Sequence, residues 1–178
     1  MIWANKNTFF FKIVYLLAYS DFFLYLYAQI GKYKTEVSII QIANYDENCC
    51  AILDMLEFSK KDKIEKFCEI FEKYFRGKIF LGFYFDKSDL EVFPLQLKNF
   101  FENKNNCTIY DLSAIAQQKY LEKGQSLKIL TEKIFGKPLC KYEQCSNWNI
   151  RPLSQCQIHY GALDALICIM LFKKITAG

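Results

Sequence analysis

Apolar runs that end at turn residues predict the strands of this chain. Runs of branched and aromatic residues bounded by Gly, Asp or Asn are typical of buried strands. Such runs span Val37–Ala43, Cys50–Leu56 and Lys78–Phe85, and a shorter one spans Cys107–Tyr110. We therefore predict four strands, most of them in the first half of the chain.

Apolar residues spaced three or four apart predict the helices. This spacing places one apolar face toward a core. The predicted helices are Lys61–Phe75, a segment from Ser88 to about Phe101, Asp111–Lys119, Leu127–Phe135 and a last helix after Ser154. Ser154 is followed three residues later by Gln157, the pattern of a capping box. Strands first, then alternating strands and helices, then closing helices predict an α/β fold with a mixed, twisted sheet flanked by helices.

Length and composition indicate one folded domain over residues 1–178. The chain has 178 residues, 52% of them hydrophobic and 24% charged, which excludes a disordered polymer. Its 23 basic and 19 acidic residues give a net charge of +4. This mild excess permits a nucleic-acid partner without requiring one.

Cysteine usage favours a reducing compartment. The chain has eight cysteines and one histidine, and no two cysteines have the CxxC spacing of a zinc site. Most of the cysteines lie in apolar runs, where free Cys acts as a small hydrophobic residue. We expect a nuclear or cytoplasmic protein.

Residues 9–30 are the most membrane-like stretch of the sequence. Lys12 and Asp21 interrupt it, so no uncharged run reaches the roughly 18 residues of a spanning helix. A signal peptide or a membrane anchor remains an alternative there. Its aromatic and branched residues favour buried strands, so we expect no membrane partner.

Tyr160 and Asp164 are the first candidates for chemistry. They lie four residues apart on the last predicted helix, one turn apart on the same face. A carboxylate in an apolar helix is costly to bury unless it is paired or binds a metal. Taken alone, such a pair more often has an exposed Asp on the polar face of the helix, so it is weak evidence for a site.

The segment 139–166 gives the pair a context. It reads LCKYEQCSNWNIRPLSQCQIHYGALDAL and resembles the end of Werner-like 3′–5′ exonuclease domains of the DEDDy branch. Positions that fit that pattern include Lys141, Gln144, Ser146, Asn147, Trp148, Arg151, Pro152, Leu153, Gln157, Tyr160, Ala162, Asp164 and Ala165. Gly161 replaces the usual Ala. The likeness extends upstream to Val37 and fades before residue 36.

This resemblance implies a ribonuclease H-like fold and a metal-dependent nuclease. Members hydrolyse phosphodiester bonds from a 3′ end with two divalent ions, Mg²⁺ or Mn²⁺, held by four carboxylates. Asp164 matches the fourth carboxylate, and Tyr160 matches the tyrosine that orients the attacking water. Asp89 matches the second-motif acid and Asp86 is its rival. The implied partner is DNA or RNA with a 3′ end.

The first acidic motif of the family, Asp-x-Glu, is incomplete. Asp21 lies sixteen residues before Val37 and is the candidate metal ligand, but Phe23 stands where the family has Glu. Residues 1–36 are thus an atypical first-strand region, through divergence or an imperfect gene model. The alternative function is a weakened or inactive module that binds nucleic acid or a protein partner.

Three further residues are predicted to contact nucleic acid. Lys141 and Arg151 offer positive charge, and Trp148 offers a ring on which a base can stack. For Trp148, packing within the long connection that precedes the last helix is the favoured interpretation, and base stacking is the alternative.

Overall fold

The structure is a computed structural model. It describes residues 2–4, 24–30, 37–45, 50–58, 61–85, 87–121 and 123–177. The predicted signal or anchor segment, residues 9–30, lies largely outside these ranges. Asp21, Phe23 and Asp86 lie outside them as well.

The described strands form a six-stranded mixed sheet. The strands are β1 (Ile2–Ala4), β2 (Leu24–Ile30), β3 (Val37–Asn44), β4 (Cys50–Asp54), β5 (Ile79–Gly82) and β6 (Thr108–Asp111). Their order across the sheet is β1-β4-β3-β2-β5-β6. β3 is antiparallel to both of its neighbours, whereas β2–β5, β5–β6 and β1–β4 are parallel pairs. The predicted mixed sheet is confirmed, and β2 lies near its centre.

Seven helices belong to the described ranges. They are α1 (Met55–Phe58), α2 (Lys61–Phe75), α3 (Lys87–Leu90), α4 (Leu95–Glu102), α5 (Leu112–Tyr120), α6 (Leu127–Phe135) and α7 (Gln155–Thr176). The bounds predicted for α2 and α6 match the structure. The hydroxyl of Ser126 accepts the Ile129 N–H at the start of α6, and Gly136 ends that helix with φ 73°. Serine caps and left-handed glycines are the signals that make such bounds readable from sequence.

Three predicted elements are shorter in the structure. The strand predicted over Lys78–Phe85 is β5, Ile79–Gly82. The strand predicted over Cys50–Leu56 ends at Asp54, whose carboxylate accepts the N–H of Glu57 at 3.3 Å and so begins helix α1. The helix predicted from Ser88 to Phe101 is divided into α3 and α4. A proline inside a helix removes a hydrogen bond and clashes with the preceding turn, so one helix cannot run through Pro94. Pro94 is instead the N-cap of α4.

The two faces of the sheet carry separate hydrophobic clusters. One cluster joins β3 and β4 to α2 and α4 through a group of packed phenylalanines that includes Phe71, Phe80 and Phe101. The other joins β5 to α5, α6 and α7. Helix α7 packs across β2, β3 and β4, so residues on its sheet-facing side lie over the middle of the sheet.

The helices of the described ranges differ in length, from four residues to 22. None of them combines the length and apolarity that crossing the membrane requires.

Candidate active site

Helix α7 positions Tyr160 and Asp164. Its start is fixed by the predicted capping box: the Ser154 hydroxyl accepts the Gln157 N–H at 3.1 Å, and the Gln157 side chain accepts the Ser154 N–H at 3.0 Å. The Gln157 amide also donates to Ser146 and to the carbonyl of Asn147. These bonds join the helix start to the preceding connection, and Tyr160 follows within the first two turns.

Asp164 is a buried carboxylate whose charge is only partly compensated. It is 6% exposed. Burial raises the pKa of its carboxyl to about 6, against the opposing effects of a hydrogen bond from Tyr160 and the positive charge of Lys141. A carboxylate in this state gains from any cation that reaches it.

One cavity brings together the main predicted residues. It has a volume of about 620 Å³ and is lined by Asp164 and Tyr160 from α7, Asp89 from α3, and Lys141 and Gln144 from the connection before α7. A space of this size suits a small organic ligand or one nucleotide. The cavity thus combines two carboxylates, an ammonium group and two phenols, those of Tyr160 and Tyr84.

The described residues supply two carboxylates to this cavity and form no cluster of three or more His, Cys, Asp or Glu side chains that could hold a metal. Strand β2 precedes β3 in the chain and pairs with it. The sequence of β2, LYLYAQI, contains neither Asp nor Glu. Asp21 precedes this strand, and both it and Asp86 lie outside the described residues. Their assignments as metal ligands stay predictions.

Arg151 has several contacts within the protein, and its predicted contact with nucleic acid stays a prediction. Its Nε and Nη2 donate to the two carboxylate oxygens of Asp54, each at 2.6 Å, and Nη1 donates to the carbonyl of Trp148 at 2.7 Å. Nη2 also donates to the carbonyl of Ser38. Arg151 therefore ties the connection before α7 to β3 and to the end of β4.

Trp148 packs inside the protein and does not offer its ring to a base. Its side chain is 1% exposed and its ring lies 6.1 Å from that of Tyr160, within a small cluster that includes Ile39 and Leu153. The ring therefore has no face open to a ligand. The structure shows the favoured interpretation, packing of the connection, and the Trp148 ring packs beside that of Tyr160.

Sequence reasoning missed two features of this region. The first is the ion pair of Asp54 with Arg151; Asp54 does lie in a strand, as predicted, but nothing in the sequence indicated its partner. The aromatic residues Phe83, Tyr84 and Phe85, which also line the cavity, were read as the end of another strand. The available signal was Gly82, because a glycine inside a strand pattern often marks a bend or a close approach of another group. The three aromatic residues follow it directly.

Comparison with known proteins identifies the family. The model of a family described as 3′–5′ exonuclease matches residues 27–177. Exonuclease mut-7 of Caenorhabditis elegans is 31% identical over 160 residues, which are 82% of this chain and 17% of that protein. The chain therefore covers less than one fifth of the length of this relative.

Two solved structures share the fold. The Nibbler EXO domain of Aedes aegypti superposes with a TM-score of 0.79 at 20% identity, over 98% of this chain and 86% of that chain. Escherichia coli RNase D, described as an exoribonuclease involved in structured RNA processing, gives a TM-score of 0.74 at 17% identity, over 99% and 44% of the two chains. The predicted ribonuclease H-like fold is confirmed, and the chain belongs to the 3′–5′ exonuclease family.

Proposed function

We propose that this chain removes nucleotides from the 3′ end of a nucleic acid by hydrolysing phosphodiester bonds. One observation carries the proposal: Asp164, Tyr160 and Asp89, from two helices that are distant in sequence, line one cavity of nucleotide size. The resemblance described from the sequence assigns Asp164, Tyr160 and Asp89 to active-site positions of this family, with Asp86 as the rival of Asp89. The cavity thus has two acids and a phenol in one lining, the groups that such chemistry uses.

The donor set fits a divalent ion of the Mg²⁺ or Mn²⁺ type. Carboxylate oxygens are the ligands that such hard cations prefer, and Mg²⁺ is commonly held by one or two carboxylates with the rest of its shell from water and substrate. Asp164 and Asp89 would hold it, and the raised pKa of Asp164 marks a charge that a cation would compensate. When bound, the ion supplies Lewis-acid stabilisation of the phosphodiester oxygens. The family's second ion would need carboxylates beyond these two.

The chain's own side chains provide the remaining functions. The hydroxyl of Tyr160 is hydrogen-bonded to Asp164 and its ring is supported by Trp148, so the phenol has a fixed direction from which to orient a water molecule. Lys141 lines the same cavity and supplies a positive charge that attracts a phosphate. The phenol depends on the position of α7 over the sheet, whereas Lys141 lies in the connection before that helix.

A second candidate function is a weakened or inactive module that still holds a 3′ end. The observation that favours it is the composition of β2, the strand next to β3, which has no acid to add to Asp164 and Asp89. A site with fewer anionic ligands binds divalent ions less tightly. The two candidates differ in turnover and share the binding of a nucleic-acid end.

A degradation assay separates the two. The substrates are single-stranded DNA and RNA oligonucleotides labelled at the 5′ end. They are incubated with the unaltered chain, with Asp164→Asn, and with Glu132→Gln, a control that removes an exposed carboxylate outside the cavity lining. We expect stepwise shortening from the 3′ end in Mg²⁺ or Mn²⁺, lost in Asp164→Asn and in chelator and retained in Glu132→Gln. Tyr160→Phe should lower turnover more than binding.

Other outcomes are equally informative. Binding that requires a free 3′ end, without shortening, supports the module without catalysis. Shortening that persists in chelator or in Asp164→Asn refutes the assignment of the site. Absence of both binding and shortening refutes the proposed function.

A further inference from the structure

The rim of the cavity carries a tight aromatic turn at Gly82, Phe83, Tyr84 and Phe85. A Cβ atom on Gly82 would lie 2.4 Å from the Cβ of Phe85, a separation that no real side chain tolerates. The chain therefore folds back on itself immediately after β5, and a glycine is required for the turn. The consequence is that three consecutive aromatic side chains leave the backbone in different directions.

The outer two rings of this turn are packed on opposite sides of it. Phe83 packs against the hydrophobic cluster formed with α5, α6 and α7. Phe85 packs against the cluster formed with α2 and α4, and its ring meets that of Phe101 edge to face at 6.4 Å. The turn is thus anchored in both cores.

The middle ring, Tyr84, is presented to the cavity. Tyr84 is 50% exposed to solvent, although it lies between two packed phenylalanines in the sequence. It lines the same cavity as Asp164, Tyr160 and Asp89, and the edge of its ring contacts Phe83 at a centroid distance of 5.0 Å. A large, partly exposed aromatic surface is therefore held beside the predicted catalytic groups.

The backbone of Tyr84 is held in a conformation that tyrosine rarely adopts. Its φ is 53°, in the left-handed region that favours glycine and asparagine. Its N–H donates to Oδ1 of Asp111 at 3.0 Å, and the same carboxylate caps α5 by accepting the N–H of Ser113 at 2.9 Å. Such conformations persist where surrounding bonds impose them, and they concentrate at ligand-binding sites.

From this geometry we infer that Tyr84 stacks on the base of the 3′-terminal nucleotide. The inference rests on the proposed function and adds the way in which the substrate is held. Every base has a π face, so a stacking residue binds the terminal nucleotide whatever the sequence. Tyr84 is a positioning residue: it recognises the presence of a base and leaves the phosphodiester to Asp164, Asp89 and Tyr160.

The test compares two 3′ ends on the unaltered chain. Single-stranded oligonucleotides that end in a normal purine nucleotide or in an abasic residue are titrated in Ca²⁺, and binding is followed by fluorescence anisotropy. We expect the end with a base to bind between about fivefold and a hundredfold more tightly, the range that stacking on one aromatic side chain gives. A role of Tyr84 in folding alone would not distinguish the two ends.

Three variants assign the difference to Tyr84. Tyr84→Asn removes the ring and retains a residue that accepts a left-handed backbone, so the fold is preserved and the preference for a terminal base should disappear. Tyr84→Phe retains the ring and should retain the preference. Tyr142→Asn removes a tyrosine that is 88% exposed and outside the cavity lining, and should change nothing.

The outcomes separate this inference from the proposed function. If the unaltered chain binds or shortens normal ends but binds abasic ends equally well, the stacking inference is wrong and the proposed function stands. If Tyr84→Asn folds and keeps the preference, another group recognises the base and the assignment to Tyr84 is wrong. If no oligonucleotide binds and none is shortened, both are wrong.

Discussion

Replacing Asp164 with Asn should stabilise the protein at neutral pH in the absence of divalent metal. Burial raises the pKa of the Asp164 carboxyl from 3.8 to about 6 in the folded state. Because the folded state then holds the proton more tightly than the unfolded state, the free energy of unfolding decreases as the pH rises from about 4 to 6. Below pH 4 both states are protonated and the penalty is absent.

The size of the effect follows from the same shift. A difference of roughly two pKa units corresponds to about 3 kcal/mol at 1.36 kcal/mol per unit. Asparagine has nearly the same shape, can accept the Tyr160 hydrogen bond and has no charge to bury. The stability advantage of Asp164→Asn over the unaltered chain should therefore grow from near zero at pH 4 to at most about 3 kcal/mol at pH 7.

Urea unfolding in chelator at a series of pH values measures this difference. Asp54→Asn is the matched control, because that buried carboxylate has an ion-pair partner, Arg151, and its loss should destabilise the fold at pH 7. Adding Mn²⁺ should raise the stability of the unaltered chain more than that of Asp164→Asn. A difference between Asp164→Asn and the unaltered chain that stays constant from pH 4 to 7 would show that burial of the charge is not what Asp164 contributes.

The sequence predicted the helices better than the ends of the strands. Ser126, Gly136 and the Ser154–Gln157 capping box are local signals, and the helices that they bound lie where they were predicted. The strand after Cys50 and the helix after Ser88 were overextended. In the structure these two elements end because of the Asp54 carboxylate and Pro94. In the sequence the apolar pattern continues past both residues, so it predicted elements that were too long.

The candidate site was predictable only where its residues share one helix. Tyr160 and Asp164 have a fixed spacing on α7, so the sequence placed them on one face before the fold was known. The roles of Arg151 and Trp148 depend on residues about a hundred positions away, Asp54 and Ile39, which no local pattern connects to them. The same positive charge or ring serves either a ligand or the protein interior, and tertiary contacts decide which.

Three further substitutions test how the site is held together. Arg151→Leu should destabilise the protein by about 3 kcal/mol at pH 7, since it leaves the Asp54 carboxylate buried without its partner. Thermal unfolding measures the loss, with Lys128→Leu, which replaces an exposed cation outside the cavity lining, as the control. Ser154→Ala should lower the free energy of unfolding by about 1 kcal/mol because it removes the helix cap, whereas Ser154→Asp should retain most of the stability that the cap provides. Gly161→Ala should have two opposing effects on stability. Alanine favours a helix interior by about 1 kcal/mol, but its Cβ would lie 3.0 Å from the Gln41 amide nitrogen and 3.3 Å from Ile52 Cδ1, and crowding a packed core costs about 1–3 kcal/mol. Because Gln41 is fully buried and cannot move toward solvent, we expect a net loss of about 1 kcal/mol, which becomes a gain when Gln41→Ala provides room. If Gly161→Ala is stabilising on its own, Gln41 is free to move, and close packing against it is not the reason for a glycine at this position.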